Sequence, residues 1–222
     1  MKGYSLKIGV FDSGIGGLLV SNKLKEKLPY DQIIFRSDSE HMPYGNKDEN
    51  LIIDYSNKII SLLEKDGAEF IIVACGTISS LIPKLNHNVR LEGIIDPLCI
   101  SSCNITKNKK VGVIATVNTI KSESFPNCIR RIDENIEVYT YPCYDLATLI
   151  ENRSSEGEIL SSLKEPIDYF EKAKIDTLIL GCTHYSWILD LIREKIPGVN
   201  IVDFSELVSS SIDYLKVNRP KS

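Results

Sequence analysis

Phe70-Ile-Ile-Val-Ala-Cys75-Gly-Thr77 and Thr177-Leu-Ile-Leu-Gly-Cys182-Thr-His184 are two forms of one device: a short apolar run, a cysteine, then small or polar residues. A second pair, Lys7-Ile8-Gly9-Val10-Phe11 and Lys110-Val111-Gly112-Val113-Ile114, recurs 103 residues apart, close to the 107 that separate the two cysteines. Two unrelated strings with similar offsets indicate one α/β unit present twice. Two like lobes facing each other bring two thiols to opposite sides of one cleft. That is a setting for moving a proton from one face of a carbon to the other.

Working outward from these strings, β-branched runs alternate with helical patterns along the whole chain. Strands are expected near 7–11, 32–36, 70–74, 92–95, 110–115, 136–141, 176–180 and 199–202. Helices fit 16–28, 47–66, 78–86, 118–133, 145–152, 157–173, 186–195 and 204–216, with a frayed tail at 217–222. Runs that are apolar almost throughout fit a parallel sheet covered on both faces. The expected fold class is therefore α/β, with two similar lobes, each a mainly parallel sheet flanked by helices. A pseudo-twofold relates the lobes and the active site lies in the cleft between them. Residues 1–96 with 204–222 make the first lobe, carrying Cys75. Residues 97–203 make the second, carrying Cys182.

The distinctive loops sit beyond the strand carboxyl ends, where open parallel sheets bind ligands. Asp12-Ser13-Gly14-Ile15-Gly16-Gly17 follows the first strand. It is not a dinucleotide fingerprint, because the third glycine falls at Leu19, and it lacks the lysine of a phosphate loop. Its free amides at a helix start suit an anion such as a carboxylate, although Asp12 alone reads equally well as a helix cap. His41-Met42-Pro43-Tyr44-Gly45 reads as a turn, with a phenol that could close over a polar ligand. A lone cysteine after a strand is more often a buried inert thiol; two at equivalent points of a repeat shift that balance. The start of a helix after Cys75 favours its thiolate, and His184 stands where it could hold or relay a proton beside Cys182.

Bulk properties narrow the class. The chain has 222 residues, a net charge of −4, 43% hydrophobic and 25% charged residues, an ordinary globular composition with no electrostatic case for nucleic acid. No apolar run reaches the roughly 20 residues that span a bilayer. The N-terminal stretch has no signal-peptide core, so a cytoplasmic protein with reduced thiols is expected from its six cysteines. No Cys-x-x-Cys or other zinc spacing is present, so no metal is expected.

Ile8–Gly17, Pro43-Tyr44-Gly45 and Leu178–Tyr185, in matching order over nearly the whole chain, resemble the glutamate racemases, cofactor-independent enzymes that make D-glutamate for peptidoglycan. The resemblance implies that Cys75 and Cys182 are the two catalytic bases, assisted by Asp12 and His184. It implies substrate contacts at Asp12, Ser13, Pro43, Tyr44, Gly45, Gly76, Thr77, Thr116, Thr119, Thr183 and His184, with Glu151 as a helper. It also implies a small acidic amino acid as substrate, no cofactor and no metal, no nucleic-acid or membrane partner, and a homodimer. Three departures stand out. Gly76 replaces the family's asparagine, which predicts weaker glutamate binding or another substrate, and tighter binding on restoring the asparagine. Asp38-Ser39-Glu40-His41-Met42 is unusually polar. The chain ends at Ser222, earlier than usual. The alternatives are a relative acting on another acidic substrate, a weakly active paralogue that binds an acidic ligand or a partner protein, and a thiol redox or nucleotide-binding protein, for which the chain lacks a Cys-x-x-Cys or a complete phosphate loop.

Overall fold

The computed structural model describes residues 5–29 and 31–208. Strands β1 (Lys7–Asp12), β2 (Gln32–Ser37), β3 (Phe70–Val73) and β4 (Arg90–Gly93) form one parallel sheet in the order β2-β1-β3-β4. Strands β5 (Lys110–Thr116), β6 (Glu137–Cys143), β7 (Thr177–Leu180) and β8 (Asn200–Val202) form a second in the order β6-β5-β7-β8. The second order is the first one repeated, so the duplicated strings mark a duplicated topology. In each sheet the strand order reverses between the first and third strands. That crevice, β1/β3 in one lobe and β5/β7 in the other, is where doubly wound sheets bind ligands. Asp12 and Thr116 end the first strand of each pair, and Cys75 and Cys182 each stand two residues past the second.

Alternation within the central strands makes three core layers. Ile8, Val10, Ile72 and Ala74 of the first sheet share one cluster with Val111, Val113, Ala115 and Ile179 of the second. Phe11, Ile71 and Val73 turn to the opposite face and pack with Ile52, Ile60 and Leu63 of α2 (Glu49–Lys65). Ile114, Leu178 and Leu180 do likewise with Leu163 and Phe170 of α8 (Glu156–Ala173). The period-2 geometry of a strand makes this sorting automatic. Both covering helices are capped: Asp48 accepts from the Asn50 amide, and Ser155 with Glu158 forms a reciprocal capping box.

The remaining helices are α1 (Gly16–Lys27), α3 (Gly76–Ser79), α4 (Ile95–Ile105), α5 (Val117–Lys121), α6 (Ser124–Ile132), α7 (Leu146–Glu151) and α9 (Leu189–Lys195). Four differ from expectation; the one expected over 186–195 is a 3-10 turn at Thr183–Ile188 followed by α9. No helix is expected over 95–105, but this stretch, with Asp96-Pro97 inside it, is α4, and it contributes Ile95, Leu98 and Cys99 to the shared core. Pro97 falls in its first turn, where the missing N–H would have no helical partner anyway. The helix expected over 118–133 breaks at Ser122–Glu123, where Glu123 adopts a left-handed φ of 53°. The helix expected over 78–86 starts earlier, at Gly76, and ends at Ser79, with a 3-10 turn at Ile82–Lys84 beyond it.

Residues 204–208 are helical, and Phe204 and Val208 join the shared cluster. The rest of the helix expected to 216 and the tail at 217–222 lie outside the described residues. Among the described residues, no helix is long and apolar enough to cross a membrane.

Candidate active site

Asp12 ends β1 with no solvent exposure. Its Oδ2 accepts the Gly17 amide at 2.7 Å, tying the loop to the start of α1. Thr183 of the other lobe donates its hydroxyl to the same carboxylate at 3.3–3.4 Å. Burial pushes the Asp12 carboxyl above its ordinary range; the charge of His184 and the amides of Gly17, Ser13 and Gly14 oppose this. One side chain thus acts both as loop anchor and as cross-cleft partner.

Cys75 stands between β3 and α3, buried, with its Sγ 3.5 Å from Ser13 Oγ. Burial, followed by the charge of Asp12, pushes its thiol up to about 12. This corrects the expectation that a helix start would favour the thiolate. The helix after Cys75 has only four residues, and burial outweighs what so short a segment offers.

Cys182 is backed differently. Its Sγ lies 3.8 Å from His184 Nδ1, and His184 Nε2 meets Glu151 Oε2 in a short bond. Glu151 Oε2 also accepts the Ile15 amide at 3.2 Å, so the chain Cys182–His184–Glu151 ends on the first lobe. Burial disfavours the His184 cation, but its bonds to Cys182 and Glu151 and the charges of Cys182 and Asp12 prevail. They hold the imidazolium up to about 11. Glu151 is lowered despite burial by the bonds from His184 and Ile15.

This pair has a pH signature. The stability that the raised His184 contributes is complete below about 6.5, its ordinary value, and is lost as pH rises through about 11. Glu151, lowered, contributes above its ordinary value of 4.5. Glu151→Gln leaves the imidazolium without its counter-charge, a loss of about 3–5 kcal/mol for a buried pair. The variant is expected to melt roughly 6–20 °C lower near pH 6, with the gap narrowing steadily toward pH 11. A gap independent of pH would show that the two groups do not share a proton-linked bond.

Between the cysteine loops the lobes touch backbone to backbone. A Cβ on Gly76 would stand 2.0 Å from the Gly181 carbonyl oxygen. Beside this contact Thr77 Oγ1 meets Thr116 Oγ1 at 2.8 Å and Thr119 Oγ1 at 3.3 Å, and the latter two meet at 2.9 Å. These three buried hydroxyls satisfy one another, and each can turn its proton toward an arriving anion.

Pro43-Tyr44-Gly45 borders the same cleft, but the Tyr44 phenol is no lid. It is 1% exposed and donates to Asp38 Oδ2 at 2.6 Å, with its ring in the first-lobe core beside Cys75. Asp38 also bonds His41 Nδ1 at 2.9 Å, and the His41 ring stacks on Tyr55 at 3.9 Å. The polar loop 38–42 is therefore folded onto itself. Its bonds from Tyr44 and His41 keep Asp38 low against the effect of burial.

The residues singled out in the sequence thus converge on one place, with two exceptions in orientation: the Tyr44 hydroxyl turns inward, and Glu151 stands behind His184. Sequence reasoning missed Asp38 and Gly181. Gly181 had a signal, since it occupies the place in Leu-Gly-Cys that Ala74 has in Val-Ala-Cys. Asp38 is recognisable only through its partners.

Twin parallel-sheet lobes, each with a buried cysteine two residues beyond its third strand, define a class of duplicated α/β proteins. A protein-family model described as Asp/Glu/Hydantoin racemase matches residues 32–208, and the chain belongs to this family. It is 36% identical over 218 residues to a glutamate racemase of Sulfurihydrogenibium sp. strain YO3AOP1, covering 96% of this chain and 84% of that one. It superposes on a glutamate racemase of Francisella tularensis crystallised with D-glutamate at a TM-score of 0.85 and 32% identity, covering 98% of this chain and 85% of the other. A glutamate racemase isoform of Bacillus anthracis gives the same TM-score at 28% identity, with 97% and 83% covered.

Proposed function

We propose that this protein interconverts L- and D-glutamate by passing the α-proton between Cys75 and Cys182. The observation that carries the reading is the pair of buried cysteines at equivalent ends of β3 and β7. In one direction the Cys182 thiolate takes the α-proton from one face and becomes a thiol. The electron pair left on carbon delocalises into the carboxylate. The Cys75 thiol then delivers its own proton to the opposite face and is left as the thiolate. The product leaves the enzyme poised for the other enantiomer.

The surroundings of the thiols fit these roles. Cys75 rests as a thiol, ready as the acid, while the charge that develops on Cys182 faces the His184 imidazolium. The threonine trio supplies donors for a substrate carboxylate, in a site whose thiols are buried. Tyr44, Gly45, Gly76 and Pro43 shape the wall rather than donate. Two sulfurs supply both acid and base, so the reaction needs no cofactor.

In the same reading the lobes divide near 96/97 and 203/204, and the molecule works as a homodimer. It makes D-glutamate for peptidoglycan in the cytoplasm, where all six cysteines stay free.

A second reading, another acidic amino acid as substrate, is favoured by Gly76, which offers no side chain to the ligand. Proton NMR of L- and D-glutamate in D₂O separates the two. Loss of the α-proton signal from both, with the opposite enantiomer appearing, is the expected result. No exchange with glutamate but exchange with aspartate supports the second reading; no exchange with any diacid leaves a protein that only binds.

A further inference from the structure

Cys75, Cys182, Thr77, Thr116, Thr119 and His184 are all less than 8% exposed. No amino acid reaches them unless the lobes part. The contacts that cross the cleft fall on two sides. On one, Thr183 bonds Asp12 and Ile15 bonds Glu151. These involve groups assigned to the chemistry. On the other, the hydrogen bonds among the described residues use uncharged groups with no part in proton transfer, and three of the six converge on one residue.

That residue is Asn118, in the first turn of α5. Its amide N–H donates to the Gly45 carbonyl at 2.9 Å. Its side-chain Nδ2 donates to the Tyr44 carbonyl at 3.1 Å and to the Lys47 carbonyl at 2.8 Å. Lys47 N also bonds Tyr44 O at 3.2 Å, so residues 44–47 form a closed turn and Asn118 holds both of its end carbonyls. Gly45 permits the approach, since a Cβ there would stand 2.7 Å from the Thr116 Cβ. Asn46 of the same turn reaches the Tyr144 carbonyl at 3.1 Å, extending the seam along this rim.

We infer that Asn118 is the latch of the cleft: its side chain holds the 44–47 turn shut, and release of its two bonds admits substrate past Thr116 and Thr119. The inference rests on the racemase reading for what enters, but the latch itself is a property of the empty protein. Both bonds exist in the empty closed form and in the closed complex. Losing them therefore eases opening without changing the balance between those two forms.

The test is the rate at which iodoacetamide labels Cys75 and Cys182, followed by mass spectrometry at one pH for the wild type and three variants. Asn118 touches neither thiol, so a change in rate reports opening. Asn118→Ala removes both side-chain bonds and keeps the backbone one. Two neutral bonds of ordinary strength correspond to roughly thirtyfold faster labelling. Asn118→Asp sets a carboxylate against two carbonyls and labels faster still, while Asn118→Gln, which keeps the donor, returns toward the wild-type rate. In racemisation assays KM and kcat for the alanine variant stay within about twofold of wild type, because the closed forms are weakened alike.

Wild-type labelling rates in the alanine and aspartate variants would overturn the latch. So would faster labelling matched by a fall in Tm and not corrected by glutamine, which marks a merely structural residue. A fall in kcat with unchanged labelling would likewise overturn it. If the wild type racemises nothing, the functional reading fails alone, and the labelling series still decides the latch.

Discussion

Cys75→Ser and Cys182→Ser each abolish racemisation in both directions, by roughly 10²–10⁴-fold or more, the scale of a lost general acid or base. A serine hydroxyl is close in size to a thiol but far too weak an acid to supply either an alkoxide base or a ready proton near neutral pH. The two directions must fall together. Enantiomers have equal free energies in water, so kcat/KM for the L and D forms is equal in any variant.

What differs is exchange. With Cys75 replaced, Cys182 and its His184–Glu151 relay remain. That thiolate can still remove the α-proton from the face it meets and return a deuteron to it. In D₂O the variant should exchange one enantiomer with retention and leave the other untouched, and Cys182→Ser should show the opposite preference. The measurement is α-proton NMR of each enantiomer with each variant, paired with chiral analysis of the product. If one variant exchanges both enantiomers, a single base serves both faces and the two-thiol reading is wrong.

The parts of this molecule that could be read from the chain are those set by local pattern. The apolar run 70–73 and its repeat 177–180 are strands because β-branched residues without interruption suit a buried parallel sheet. Both exit into a cysteine, and the two cysteine loops meet at Gly76 and Gly181. Helix α4 was hidden by Asp96-Pro97, a pair that reads as a break yet is permitted in a first turn. Glu123 divides a single helical pattern because one residue there turns left-handed, which no periodicity reports. The inward Tyr44 hydroxyl depended on Asp38, six residues earlier on a loop whose polarity was noticed but whose fold was not. Asn118 and Gly45 are 73 positions apart and meet only because two lobes close. A pattern in sequence reports neighbours along an element; it is silent about contacts between halves.

Gly76 shows how much that silence changes an expectation. From the sequence, an asparagine at this position should tighten glutamate binding by supplying a missing polar partner. In the structure the position has no room for one. A Cβ would lie 2.0 Å from the Gly181 oxygen, and both sides of the contact are backbone, so no rotamer relieves it. Even Gly76→Ala must push the cysteine loops apart by on the order of 1 Å, and misplacement of that size between reacting groups costs about 10²-fold in rate. Gly76→Asn should lose more, with weaker binding of glutamate. Thr77, the next residue, would be carried away from Thr116 and Thr119, opening the hydroxyl trio at the same time. The fold itself should tolerate the change, because parting the lobes relieves the clash and each sheet keeps its own helical cover. The expected pattern is therefore a Tm within a few degrees of wild type, faster alkylation of both cysteines, and kcat/KM down by about 10²-fold for alanine. Wild-type kinetics from Gly76→Ala would mean that the reacting complex is more open than this closed form. The asparagine would then have the room in which to act as the sequence implied.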